Sequence, residues 1–215
     1  MIRLIIFDAG GVLYENLRKE IVLNHLVNFL NFYGYTSLPP SQLENIWNNL
    51  YQLGRIGKLS FKECNLLLFE KIGAKELVNE WIKFYKRLWK KYAKAKSDIN
   101  FVLLKLKKKG YKMAILSNSV TSKMEKARFL KLSGINPSLF DAIFTSHDIG
   151  YPKPHKLSYM TVVNYFNLTP DNAIFISDDE KEIKGAYELG MTTIYMGIYK
   201  QPLEEATYCI KNLKD

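Results

Sequence analysis

The chain has 215 residues, 47% of them apolar and 24% charged, with a formal net charge of +10. That length suits one α/β domain or one domain carrying a smaller insert, and the composition excludes a disordered, fibrous or disulfide-stapled chain. No apolar run approaches the length of a membrane span or a secretory core, and Cys64 and Cys209 have no metal-like spacing, so a cytoplasmic protein with free thiols and no membrane partner is expected.

Residues 3–7 form a short continuous apolar run, the pattern of a strand buried on both faces in a parallel sheet. The run ends at Asp8, and Gly10-Gly11 follows as a turn signal. From 15 to 95 no strand pattern occurs. Helical periodicity covers 18–33, 41–53, 60–72 and 75–93, punctuated by Gly34, Pro39-Pro40, Gly54, Gly57 and Gly73. Strand patterns then return at 113–116, 142–144, 173–176 and 192–196, alternating with helical patterns at 99–109, 121–132, 156–165 and 181–189. This alternation predicts an α/β protein with a Rossmann-like, doubly wound parallel sheet. The expected core is 1–14 with 96–215, the expected inserted helical domain is 15–95, and 197–215 is expected as a surface segment.

The positive charge is concentrated. Residues 83–112 hold twelve Lys/Arg against the single acid Asp98. Trp81, Phe84, Tyr85, Leu88 and Trp89 fall on the inward face and the lysines outward. With no base-reading motif beside it, this is a solvated face, and no specific nucleic-acid partner is expected.

Polar residues stand at the C-terminal ends of three strand patterns: Asp8, Ser117 with Asn118, and Asp178 with Asp179. Ligands of open α/β sheets bind outside those ends. Phe7-Asp8-Ala9-Gly10-Gly11-Val12-Leu13, Leu116-Ser117-Asn118-Ser119, Gly150-Tyr151-Pro152-Lys153-Pro154-His155, and Phe175-Ile176-Ser177-Asp178-Asp179 with Gly190-Met191 resemble, in order, the four motifs of the haloacid dehalogenase-like hydrolases. The helical insert resembles that family's small cap domain. The resemblance implies a phosphatase-like enzyme acting on a small phosphorylated substrate, with Asp8 as nucleophile. It implies Mg²⁺ held by Asp8, the Gly10 backbone carbonyl and Asp178, with Ser117, Asn118 and Lys153 binding the phosphate. Either Asp179 or Glu182 would orient Lys153 or a metal-bound water.

One position departs from the pattern. Family phosphatases usually carry a second Asp two residues after the nucleophile as the general acid, and here that position is Gly10. Four explanations stand: a substrate with a good leaving group, another proton source such as Glu15, Tyr14 or a residue of the helical insert, a phosphate- or partner-binding relative with little turnover, or dehalogenase or phosphonate chemistry. Retention of Asp178 and Asp179 points towards the metal-dependent branch. In the insert, Ser60 and Glu63 form a capping-box pattern, while Arg55 or Lys58 is the sharper candidate for reaching the site. Tyr14, Trp47, Tyr51 and Phe61 read as insert core or pocket lining, His155 as a helix cap, and His25 and His147 as packing residues.

Overall fold

The computed structural model describes residues 1–35, 38–197 and 203–215. Its framework is a six-stranded, all-parallel sheet in the order β3-β2-β1-β4-β5-β6. The strands are β1 (Leu4–Phe7), β2 (Lys112–Ser117), β3 (Ala142–Thr145), β4 (Ala173–Ser177), β5 (Thr192–Met196) and β6 (Tyr208–Ile210).

The apolar runs follow from burial on both faces. Side chains alternate along a strand. Thus Ile5, Phe7, Met113 and Ile115 enter one core, with Ile99 and Leu103 of α5 (Ile99–Lys108) and Leu130 of α6 (Lys123–Ser133). Leu4, Ile6, Ala114 and Leu116 enter the opposite core, with Tyr159, Val162 and Val163 of α8 (Lys156–Tyr165) and Ile183 and Ala186 of α9 (Glu180–Tyr187). A short helix, α7 (Ser146–Ile149), follows β3.

Between β1 and α5 lie four helices: α1 (Lys19–Phe32), α2 (Pro40–Arg55), α3 (Phe61–Ile72) and α4 (Val78–Tyr92). Pro40 opens α2, where its missing N–H costs no intrahelical bond. Ser60 and Glu63 make a complete capping box on α3. The four helices share an apolar cluster around Leu26, Phe29, Leu30, Leu68, Phe69 and fully buried Trp81. Phe61, Val120 and Phe129 form a smaller cluster between these helices and α6, and the Trp89 indole donates to the Phe129 carbonyl and Ser133 Oγ at 3.1 and 2.9 Å. The two chain crossings lie side by side: Tyr14 bridges to Ala95, Glu15 N–H donates to the Lys94 carbonyl, and Lys96 N–H to that of Leu13.

Residues 203–215, expected as part of a surface segment at 197–215, are exposed or half-buried throughout, and they also contribute β6 to the sheet edge, with Leu203 and Ala206 packed against one core and Ile210 and Leu213 against the other. A three-residue strand is too short to show a period in the sequence, and its Tyr208 is largely exposed. Residues 198–202 lie outside those described.

Candidate active site

β1 is flanked by β2 and β4, so the C-terminal ends of these three strands open onto one place. Asp8 follows β1 and its N–H donates to the Ile176 carbonyl at 2.8 Å. Ser117 ends β2, and Asp178 follows Ser177 at the end of β4. This is the position at which strand order reverses in a doubly wound sheet, where the connecting chains diverge and leave a crevice.

Lys153 enters from the loop after α7. It is fully buried, with Nζ 2.5 Å from Asp8 Oδ1 and 2.7 Å from Glu182 Oε2. Burial pulls its pKa down, but the two carboxylates outweigh it and hold the ammonium above its usual value. Glu182 is itself fixed by Ser177 Oγ at 2.9 Å and by the Asn118 amide at 3.1 Å; burial pushes its pKa up to about 7 against the pull of Lys153. Asn118 brackets the lysine loop, donating to the Lys153 carbonyl at 3.0 Å and accepting from the Lys153 N–H at 2.7 Å. Of the two acids considered for orienting Lys153, Glu182 reaches it. Asp179 caps α9, accepting from Lys181 and Glu182 N–H groups.

Asp178 faces the loop after Asp8. Its carboxylate lies where a Cβ on Gly11 would stand, and Gly11 has φ +77°, so glycine answers both the backbone conformation and the close approach. Burial, then the charge of Asp8, pushes Asp178 up to about 6. Gly10 also has a neighbour in its side-chain volume. The amide of Asn16 occupies the place of a Cβ, with its carbon 3.2 Å from that point. The space used by a second acid in family phosphatases is filled here by an amide.

A cavity of about 460 Å³ lies over the strand ends, bounded by Asp8, Gly10, Asn16, Ser117, Asn118 and Glu182 on one side. Tyr14, Trp47, Tyr51 and Phe61 all line it, as do Tyr85, Trp89 and Phe129. Neither Arg55 nor Lys58 is among its lining residues; the Arg55 guanidinium lies over the Tyr51 ring, 5.9 Å from the centroid. Of the two proton sources considered, Glu15 is exposed and paired with Lys96 at 2.6 Å, away from the cavity wall. Tyr14 is in that wall, buried, and accepts a 2.9 Å hydrogen bond from Lys126 Nζ. Lys126 was not visible as a site residue in the sequence, although the spacing 126, 129, 130, 133 places it on the buried face of α6 with Phe129, Leu130 and Ser133. His155 caps α8 by accepting from Leu157 N–H, His147 contacts the Gly54 carbonyl and His25 packs on Phe84 and Tyr92.

Among the described residues, side chains alone give no cluster of three or more metal-binding groups. The Asp178 carboxylate at the Gly11 backbone and the Asp8 carboxylate, near enough for its charge to act on Asp178, offer hard oxygen donors that suit a cation keeping several waters, as magnesium does. Burial first, and then the negative charge of Asp8, raise the pKa of Asp178.

The model of a family described as haloacid dehalogenase-like hydrolase matches residues 5–196, from β1 to the end of β5. Pyrophosphatase PpaX of Bacillus thuringiensis is 30% identical over 88 residues, 41% of this chain and 39% of that protein, so the match spans about two-fifths of the relative's length. Among solved structures, a 2-haloacid dehalogenase from Pseudomonas syringae superimposes with a TM-score of 0.78 at 18% identity, covering 100% of this chain and 96% of the other. The HAD-hydrolase YfnB from Bacillus subtilis, bound to magnesium, gives 0.65 at 19% identity, covering 99% and 96%. These structural likenesses establish the fold. With the family model running through five of the six strands, the chain belongs to the haloacid dehalogenase-like hydrolases.

Proposed function

We propose that the chain is a magnesium-dependent phosphohydrolase acting on a small phosphorylated molecule, with Asp8 as its nucleophile. The observation that carries this reading is the buried Asp8–Lys153–Glu182 arrangement beside the carboxylate of Asp178.

In this reading an Asp8 oxygen attacks phosphorus, a P–O bond to Asp8 forms, and the ester P–O bond breaks with the electron pair leaving on the alcohol oxygen. Water then cleaves the aspartyl-phosphate, releasing phosphate and restoring Asp8. Lys153 offsets negative charge on Asp8 and on the phosphoryl oxygens, and Glu182 and Asn118 hold it in place. Ser117 donates its hydroxyl to a phosphoryl oxygen. Asn118 has its amide engaged by Lys153 and Glu182, which assigns it to positioning. Asp8, the Gly10 carbonyl and Asp178 would hold magnesium, which supplies positive charge against the phosphoryl oxygens when bound. Asn16 donates hydrogen bonds but no proton, so substrates with stable leaving oxygens, such as acyl or anomeric phosphates, suit the site. Losing a general acid costs on the order of 10²–10⁴-fold with poorer leaving groups.

Residues 15–95 serve as a cap on a core of 1–14 and 96–215, with the paired crossings at Tyr14 and Ala95 as the hinge. The cap helices close the cavity over Asp8 and exclude bulk water. The magnesium-bound relative of the same fold and the pyrophosphatase relative support the metal and the phosphoryl chemistry.

The test is a hydrolysis panel including acyl, anomeric and alkyl phosphates, run with wild type and Asp8→Asn, with magnesium and with excess chelator. Phosphate release by wild type alone, lost in chelator, is expected. Equal release by wild type and D8N sinks the nucleophile, undiminished release in chelator sinks the metal, and halide release from a 2-haloacid favours attack at carbon instead.

A further inference from the structure

The cavity wall combines two kinds of lining: the hydroxyls and amides of residues such as Asn16, Ser117 and Asn118, and the rings of Tyr51, Tyr85, Trp89 and Phe129. Two lysines line it. Lys19 is paired with Glu44 at 2.5 Å. Lys126 is 4% exposed, and none of the ion pairs among the described residues includes it.

An ammonium has three N–H donors. The hydrogen bond found for Lys126 runs to the Tyr14 hydroxyl at 2.9 Å, and Nζ lies over the rings of Tyr14 and Trp89 at 5.6 and 5.9 Å. Those contacts orient the charge and soften its desolvation without neutralising it. Buried charges are ordinarily paired, because an unpaired one forfeits hydration with nothing in return. The cost is visible in the pKa of Lys126, which burial pulls down to about 8 against the opposing pull of the Asp8 charge.

We infer that Lys126, anchored by Tyr14, receives a second anionic group of the substrate, so that the substrate is a phosphomonoester that also bears a carboxylate or a further phosphate. The inference rests on the phosphohydrolase reading of Asp8. The aromatic residues of the lining offer apolar cover to the organic part of the substrate. A phosphomonoester with a neutral tail leaves Lys126 unpaired and is discriminated against.

The experiment compares substrate pairs that differ in the distal charge: 4-carboxyphenyl against 4-carbamoylphenyl phosphate, and propane-1,3-diyl bisphosphate against propyl phosphate. The wild type is expected to favour the anionic member of at least one pair by about 10- to 100-fold in kcat/KM, chiefly through KM; the pair that shows it identifies carboxylate or phosphate as the anion. Lys126→Gln should erase that preference, lowering kcat/KM for the anionic member by about 10- to 100-fold more than for the neutral one, and Tyr14→Phe, which keeps the ring, should reduce it. The same pairs are titrated calorimetrically into D8N and D8N/K126Q. A preference in D8N that K126Q erases, without hydrolysis by wild type, upholds the subsite and removes the phosphohydrolase reading. Hydrolysis with no charge preference in either pair overturns the subsite and leaves that reading standing. Equal losses on both members in K126Q, or a K126Q chain that does not fold together with a wild type indifferent to charge, also overturn it.

Discussion

Asn16 holds its side-chain amide in the volume that a Cβ on Gly10 would need, its amide carbon 3.2 Å from that point. That amide is the end of an exposed, flexible side chain, so a new side chain at Gly10 displaces it at little cost. Gly10→Asp should leave stability within about 0.5 kcal/mol of wild type and raise alkyl phosphate turnover by about 10-fold or more, since a general acid contributes on the order of 10²–10⁴-fold. The diagnostic is the rate ratio between 4-nitrophenyl and alkyl phosphate, which should fall in G10D. An unchanged ratio would show that the missing acid at Gly10 does not limit the reaction.

Lys153 neutralises two carboxylates at once. Lys153→Met leaves Asp8 and Glu182 facing each other without a cation and should destabilise by about 3–5 kcal/mol in denaturant unfolding, the usual cost of breaking a buried pair from one side. Adding Glu182→Gln should recover part of that loss, giving a coupling energy of about 1 kcal/mol or more in the double-mutant cycle. Activity should stay absent in both. Strictly additive losses would show that the two residues act independently.

Asp178 has a folded-state pKa of about 6 against an ordinary 3.8. A raised carboxyl contributes stability that is fully present below the unfolded value and lost as pH rises through about 6. In chelator, Asp178→Asn should therefore raise Tm at pH 8 and leave it unchanged at pH 3.5. Because a cation competes with that proton, magnesium affinity of wild type should fall about 10-fold per pH unit below pH 6, and D178N should lose both affinity and pH dependence.

Lys126 carries the opposite sign. Its pKa falls from 10.5 to about 8, equivalent to about 3 kcal/mol against the charged form. A depressed lysine contributes stability above the unfolded value and loses it as pH falls through about 8. Lys126→Met should thus stabilise the fold at pH 7 by about 1–3 kcal/mol, the lower end reflecting the Tyr14 hydroxyl left without its donor, with the gain gone by pH 11. A binding residue is expected to show this exchange of stability for function; a Tm loss at pH 7 would mark Lys126 as structural.

Much of this architecture was legible from short apolar runs ending in polar residues, because a sheet covered on both faces demands continuous apolar strands and leaves chemistry only at their ends. Asp8, Ser117 and Asp178 stand at such ends, those of β1, β2 and β4, and Lys153 meets Asp8 there. Asn16 was not, since a loop residue acting by filling a neighbour's volume leaves no periodic trace. Lys126 left one in the 126, 129, 130, 133 spacing, masked by the abundance of solvent-facing lysines elsewhere. The choice between Asp179 and Glu182 needed the turn of α9, which sends Asp179 to cap the helix and Glu182 inward to Lys153. The strand at Tyr208–Ile210 escaped because three residues are too few to show a strand period.

The nucleophile is tested most directly by acid-quenching the protein during turnover of an acyl phosphate labelled at phosphorus and mapping the label by peptide mass spectrometry. The account predicts labelled phosphate on the peptide containing Asp8, in magnesium and not in chelator, and none in Asp8→Asn. Steady turnover with no protein-bound label under single-turnover conditions, or label that persists in D8N, would contradict it.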